Sequence, residues 1–257
     1  MSQVPVTYFT DPACPRSWAA EPALARLHTE FGADVLITYV MGGLAREFDR
    51  PLAVLGEILQ TSADSGMPAD PRGWLDRPPR SSYPACLAVR AAAEQGLTGE
   101  FLRAARVALM CRRRRLDAPD ALVELAREVP GLQIDRFAID LASNAITESF
   151  GADLERWRTE HPEGILPVLA VGHAGSLAGA EISPDAVAEL ARRAGAGAVP
   201  LPEVESALRR LGPVAAVEVA AACGLPLPRA QAELWRLALE WRARPERVLA
   251  GELWGVG

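Results

Sequence analysis

Val4-Pro5-Val6-Thr7-Tyr8-Phe9-Thr10-Asp11-Pro12-Ala13-Cys14-Pro15-Arg16-Ser17-Trp18 is the stretch that decides the fold. Val4 to Phe9 alternates and is rich in residues that suit a pleated surface, which predicts a strand. Asp11-Pro12 breaks it. From Trp18, Leu24, Leu27 and Phe31 recur at helical spacing until Gly32, and Asp34 to Met41 predicts a second strand. A β-α-β order implies a right-handed crossover and a parallel pair. Cys14 then stands at a strand-to-helix junction.

That position has chemical consequences. Backbone N–H groups at a helix start lack intrahelical partners and carry roughly half a positive charge, which favours a thiolate over a thiol. Arg16 adds a full charge nearby. The expectation is a Cys14 pKa lowered from the ordinary ~8.5 into the range of roughly 3.5 to 7.5. Ser17, one turn further along, is placed to donate a hydrogen bond to that thiolate. It cannot resolve a mixed disulfide. One-step exchange follows, with a second thiol from elsewhere needed for release.

Beyond Gly42-Gly43 the chain changes character. Helical runs are predicted at Leu52–Gln60, Tyr83–Glu94, Gly99–Cys111, Pro119–Val129, Ile134–Ser143 and Ala145–Glu160, with Asp117 and Asp135 as N-caps. They form an all-helical insertion. Ile165 to Gly172 predicts a strand, Ser176 to Gly179 its hairpin partner, and Ser183-Pro184 opens an amphipathic helix. Gly195 to Pro202 reads as a linker. The tail then predicts helices at Glu203–Leu211, Val214–Cys223 and Pro228–Arg242, and short strands at Arg247–Leu249 and Glu252–Trp254. That is the winged-helix order.

Composition narrows the function classes. The 257 residues are 49% hydrophobic, enough for a substantial core. The net charge of −6 argues against a nucleic-acid or membrane-surface binder, because phosphate contacts need clustered positive charge. Within the tail, seven arginines are matched by seven glutamates, and its last helix carries Leu234, Trp235, Leu237, Leu239 and Trp241, which suggests docking on the rest of the chain or on a protein. The start lacks the charged and apolar regions of a secretory signal, and no uncharged run approaches the ~20 residues of a membrane span. A cytoplasmic protein is expected. Cys14, Cys86, Cys111 and Cys223 have no metal-knuckle or disulfide-framework spacing, and His28, His161 and His173 show no ligand spacing, so no metal site is expected. Arg112 to Arg115 reads as a solvated helix end, or as an anchor for an acidic segment.

The run Thr10 to Pro22, with its Cys14-Pro15-Arg16-Ser17, resembles the active-site opening of the DsbA-like thioredoxin-fold family. Ser82-Tyr83-Pro84-Ala85-Cys86-Leu87-Ala88-Val89-Arg90-Ala91-Ala92 is similar to a second motif of its cytoplasmic branch, which includes the SpxH/YjbH-type adaptors of the Clp protease. The resemblance implies an α/β thioredoxin fold over residues 1–198, a helical insertion at about 43–162, and a winged-helix-like domain over 199–257. It departs at Ser17, where a second cysteine is usual. Leu166-Pro167 reads by spacing as a trans proline opening an edge strand. The resemblance implies instead a cis bond beside the cysteine, its backbone available to an extended substrate.

The expected site is therefore Cys14 and Ser17 as catalytic residues, with Pro15, Arg16, Trp18, Leu166 and Pro167 contacting substrate. Asp11 reads as a turn-former and Cys86 as a core thiol, with a resolving role as the alternative. The leading function is thiol-disulfide exchange through a single cysteine. The alternatives are a non-enzymatic adaptor delivering a client to a Clp protease, or a glutathione-type thiol-dependent transferase or isomerase, so whether the chain is an enzyme stays open. Partners would be a protein client or a small thiol. No cofactor is expected beyond a low-molecular-weight thiol.

Overall fold

A computed structural model describes residues 3–257. Strand β1 (Val4–Thr10) runs parallel to β2 (Val35–Met41), in a register pairing Val4 with Val35 and Thr10 with Met41. The helical link between them is interrupted. α1 (Pro15–Ala19) stops after five residues, and α2 (Glu21–Glu30) restarts from Ala20 with Pro22 in its first turn. The periodicity from Trp18 to Phe31 hides this break, because a proline in a first turn leaves the apolar spacing intact.

β3 (Val168–Val171) lies antiparallel to β1, and β4 (Gly175–Ala178) antiparallel to β3, giving the order β2-β1-β3-β4. Val6, Tyr8, Leu27, Phe31, Leu169 and Val171 fill the layer between this sheet and α2 with α10 (Pro184–Arg193). Between β2 and β3 stand α3 (Pro51–Ser65), α4 (Arg72–Asp76), α5 (Tyr83–Ala93), α6 (Thr98–Met110), α7 (Pro119–Ala126), α8 (Ile134–Leu141) and α9 (Asn144–Glu160). Their core holds Phe101, Phe137, Leu122 and Cys86 and also takes in Trp18 and Met41. Asp117 and Asp135 do not cap helices: Ala118 and Gln133 hold those positions, and the Asp117 carboxylate accepts from the Arg80 N–H and Arg115 instead.

After α10 the segment read as a linker is tied down. Gly197 N–H donates to Asp34 at 2.9 Å, and Val199 N–H to the Glu30 carbonyl at 2.7 Å. The tail comprises α11 (Val204–Leu211), β5 (Val214–Ala215), α12 (Ala216–Cys223), α13 (Leu227–Leu239), β6 (Ala243–Val248) and β7 (Gly251–Val256), with strand order β5-β7-β6. Val214 and Ala215 pair with Trp254 and Leu253 instead of starting the helix. It is α12, not α13, that docks on the rest of the chain. Thr29 Oγ1 donates to the Ala222 carbonyl at 3.0 Å, and Arg103 bonds the Pro213 carbonyl and Glu218. Leu234 and Leu237 line the interior of the tail, while Trp235, Leu239 and Trp241 face solvent.

Candidate active site

Asp11 opens the site. One carboxylate oxygen accepts the Ala13 N–H at 2.7 Å, closing the turn predicted for it. The other reaches across to the insertion. It accepts from Leu44 N–H at 2.7 Å, Ser82 hydroxyl at 2.8 Å and Cys86 thiol at 3.2 Å. The two sequence motifs therefore meet at one buried carboxylate. The contact settles Cys86 as a core thiol, fully buried and donating, with its ionisation pushed well up by burial and by the negative charge of Asp11.

Cys14 is the N-cap of α1, and its Sγ accepts the Ser17 N–H at 3.4 Å. The thiol faces the Leu166 carbonyl at 3.7 Å, and the Leu166–Pro167 bond is cis. Leu166 fits here because Gly42 has no side chain: a Cβ on Gly42 would meet a Leu166 methyl at 2.8 Å. Phe9, Val40 and Val168 complete the apolar wall.

The expectation of an activated thiol is corrected. Cys14 is only 2% exposed, and burial pushes its thiol above the ordinary value, with Asp11 and Glu57 adding to the rise. The hydroxyl and N–H of Ser17 pull the other way without prevailing. A five-residue helix supplies little dipole, and Arg16 pairs with Glu57 of α3 at 2.9 Å instead of with the sulfur. Sequence periodicity reports that a helix begins, but neither its length nor the desolvation at its start.

The remaining expected residues divide. Pro15 is buried at the first position of α1. Arg16 is half-exposed and lines a cleft of about 1150 Å³ bounded by α2, α3, the start of α10 and the α12–α13 turn. Trp18 does not face the open side. It is 2% exposed, donates from Nε1 to the Pro68 carbonyl at 2.9 Å and lies under Arg103. Its assignment to substrate contact therefore fails, because its indole fills the insertion core. Arg112, Arg114 and Arg115 find their acids within the chain, in Glu128, Glu246 and Asp117.

Sequence reasoning missed a polar chain behind the cysteine. Thr10 Oγ1 donates to Ser17 Oγ at 2.9 Å and accepts from the guanidinium of Arg106, which is wholly buried. Arg106 also pairs with Glu21, Glu21 with Arg103 at 3.1 Å, and Arg103 with Glu218 at 2.8 Å. Two arginines hold the Glu21 carboxyl below the usual range. A signal existed: Leu102, Arg106 and Met110 share one stripe of α6, so the charge had to face the core. Among the described residues no group of three or more His, Cys, Asp or Glu is arranged to hold a metal, no disulfide forms, and no helix is long and apolar enough to cross a membrane.

A four-stranded sheet with this helical insertion, and a cysteine where its first strand gives way to a helix, defines a DsbA-like thioredoxin-fold protein. A thioredoxin family model matches residues 8–159, more than half of the chain, and the chain belongs to that family. It is 26% identical over 271 aligned residues to the ClpXP adapter protein SpxH of Halalkalibacterium halodurans, covering 96% of this chain and 86% of that protein. The Bacillus subtilis protein of the same name is 29% identical over 154 residues, 57% of this chain and 51% of its own. In three dimensions the chain is similar to the cytosolic disulfide reductase DsbM of Pseudomonas aeruginosa. The superposition has a TM-score of 0.62 at 22% identity and covers 74% of this chain and 98% of DsbM, which has also been solved with GSH.

Proposed function

We propose that this chain performs DsbA-family thiol-disulfide exchange through the single thiol of Cys14. The observation that carries the reading is the pairing around Sγ, which accepts the Ser17 N–H while facing the backbone carbonyl of Leu166. Cys14 first loses its proton to solvent. The thiolate then attacks one sulfur of a partner disulfide, forming a mixed disulfide as the old S–S bond breaks and the second partner sulfur leaves as a thiolate. Ser17 donates to the sulfur and cannot complete the cycle, so an external thiol releases the partner. Pro15, Arg16, Leu166 and Pro167 border the approach.

Burial of the thiol makes this slow at neutral pH. The rate of mixed-disulfide formation should keep climbing with pH beyond the ordinary thiol value of ~8.5, because the raised pKa leaves little thiolate below it.

A second reading is supported by the full-length similarity to SpxH and by the cleft beside Arg16: a cytoplasmic, non-enzymatic adaptor that holds a protein client for proteolysis. Under either reading the partner is a protein or a small thiol of the glutathione type, without nucleic acid or membrane. Residues 199–257 would form a winged-helix-like domain appended to a DsbA-like domain of residues 1–198. Three helices and a three-stranded antiparallel sheet support that division.

Trapping partners with the intact protein and with Cys14→Ser tests the choice. Exchange predicts partners that are released by reductant and vanish with the substitution. Recovery of the same partners from both proteins overturns exchange and supports the adaptor.

A further inference from the structure

Arg106 and Thr10 touch none of the reacting sulfurs of the exchange step, yet they stand behind Ser17, which bonds the Cys14 sulfur. We infer that Thr10 and Arg106 are positioning residues that stabilise the Cys14 thiolate through Ser17, by a relay of hydrogen bonds whose protons all point toward the sulfur. The inference deepens the exchange reading and rests on it.

The polarity follows from what each group can do. A guanidinium has donors and no acceptor, so Thr10 Oγ1 is the acceptor of their bond. The proton of Thr10 goes to Ser17 Oγ at 2.9 Å. Ser17 then holds its own proton free for Cys14 Sγ, beside the N–H it already offers at 3.4 Å. A hydroxyl that both accepts from Thr10 and donates to sulfur is more strongly polarised than an isolated one. Thr10, Ser17 and Arg106 are all wholly buried, so no water competes.

Arg106 Nε is itself buried without a hydrogen-bond partner among the described residues, a cationic donor left unspent beside the site. Its charge opposes the groups that resist ionisation of Cys14, namely Asp11 from the β1–α1 turn and Glu57 from α3. On its other sides Arg106 meets Glu21 of α2 and the ring of Tyr8 of β1, whose hydroxyl donates to the Ser17 carbonyl at 3.4 Å. The carboxylate of Glu21 keeps the guanidinium in the core, and Thr10 carries its influence to the serine.

The test is a titration of the thiolate by ultraviolet absorbance, taken as the difference between each protein and its Cys14→Ala counterpart, so that buried tyrosines cancel. Thr10→Val removes the link without changing side-chain size and should raise the Cys14 midpoint by about one pH unit, a tenfold loss of thiolate at any pH below it. Thr10→Ser restores the hydroxyl and the midpoint. Ser17→Ala should raise the midpoint as far, and the double variant no further, as expected for members of one chain. An unchanged midpoint in Thr10→Val, or full additivity in the double variant, overturns the relay. The midpoint does not require the thiol to meet a partner. A shifted midpoint without exchange in the wild type would reject the exchange reading and keep the relay, and exchange with an unmoved midpoint would do the reverse.

Discussion

Cys14 and Cys86 are both buried thiols near the same carboxylate, and they differ in the acceptor that holds their proton. Cys86 sits inside α5 and gives its proton to Asp11. Cys14 caps α1, donates to the neutral Leu166 carbonyl at 3.7 Å and accepts the Ser17 N–H at 3.4 Å. On ionising, Cys86 would turn a donated bond into repulsion by a carboxylate, whereas Cys14 would give up a bond to a neutral carbonyl and strengthen the one it accepts from Ser17. Burial raises both, so exposure alone does not separate a structural cysteine from a reactive one. The charge on the acceptor of the thiol proton does.

The harshest way to break this contrast is to remove the carboxylate. Asp11→Ala leaves the N–H groups of Ala13 and Leu44, the Ser82 hydroxyl and the Cys86 thiol without their acceptor in the core. The expected loss is about 3 to 5 kcal/mol in urea unfolding. A loss below 1 kcal/mol, on the order of a surface substitution, would mean that Asp11 does not join the two motifs.

A smaller intervention exchanges one thiol at a time. Cys86→Ala should cost about 1 to 2 kcal/mol while Cys14 still forms mixed disulfides. Cys14→Ala should abolish mixed disulfides and cost about 1 kcal/mol for the lost buried cap. If loss of Cys86 abolished exchange while the fold persisted by circular dichroism, it would be a resolving thiol after all.

The smallest effect is a slope. Burial pushes all four thiols up, Cys223 to about 11 and Cys111 to about 12. The folded state then keeps protons that the unfolded chain has released, so the stability from these groups is whole below the ordinary ~8.5 and is lost as pH rises through the raised values. Denaturation midpoints should therefore fall above about pH 9, and Cys86→Ala should flatten the fall. An equal slope in that variant would show that Cys86 is not held neutral by its surroundings.

The sheet and insertion were readable because strands of β-branched residues and helices with a 3.5-to-4-residue repeat each leave a local signature. The junction at Cys14 was readable for the same reason. What escaped was set by neighbours distant in sequence: Glu57 drawing Arg16 away, Pro68 receiving the indole of Trp18, and Glu21 holding Arg106. The last helix looked like the docking helix because its predicted span Pro228–Arg242 carries two tryptophans; α13 ends at Leu239 with Trp235 alone, and its register turns Leu234 and Leu237 inward and leaves Trp235 outside. Composition weighs a helix as a whole, and packing selects one side of it.

The chain of charges from Glu21 through Arg103 to Glu218 ties the tail to the body of the protein in a way its covalent linker does not. Glu218 also accepts the Ala215 N–H at 2.7 Å, so the carboxylate that ends the chain of charges also holds the entrance of α12. The tail behaves in this respect less like a passenger on a tether than like a keystone. A chain cut after Ala198 would uncover the α2 surface on which α12 rests and would take both Glu218 and the Pro213 carbonyl from Arg103, leaving only Glu21 between it and Arg106 behind the site.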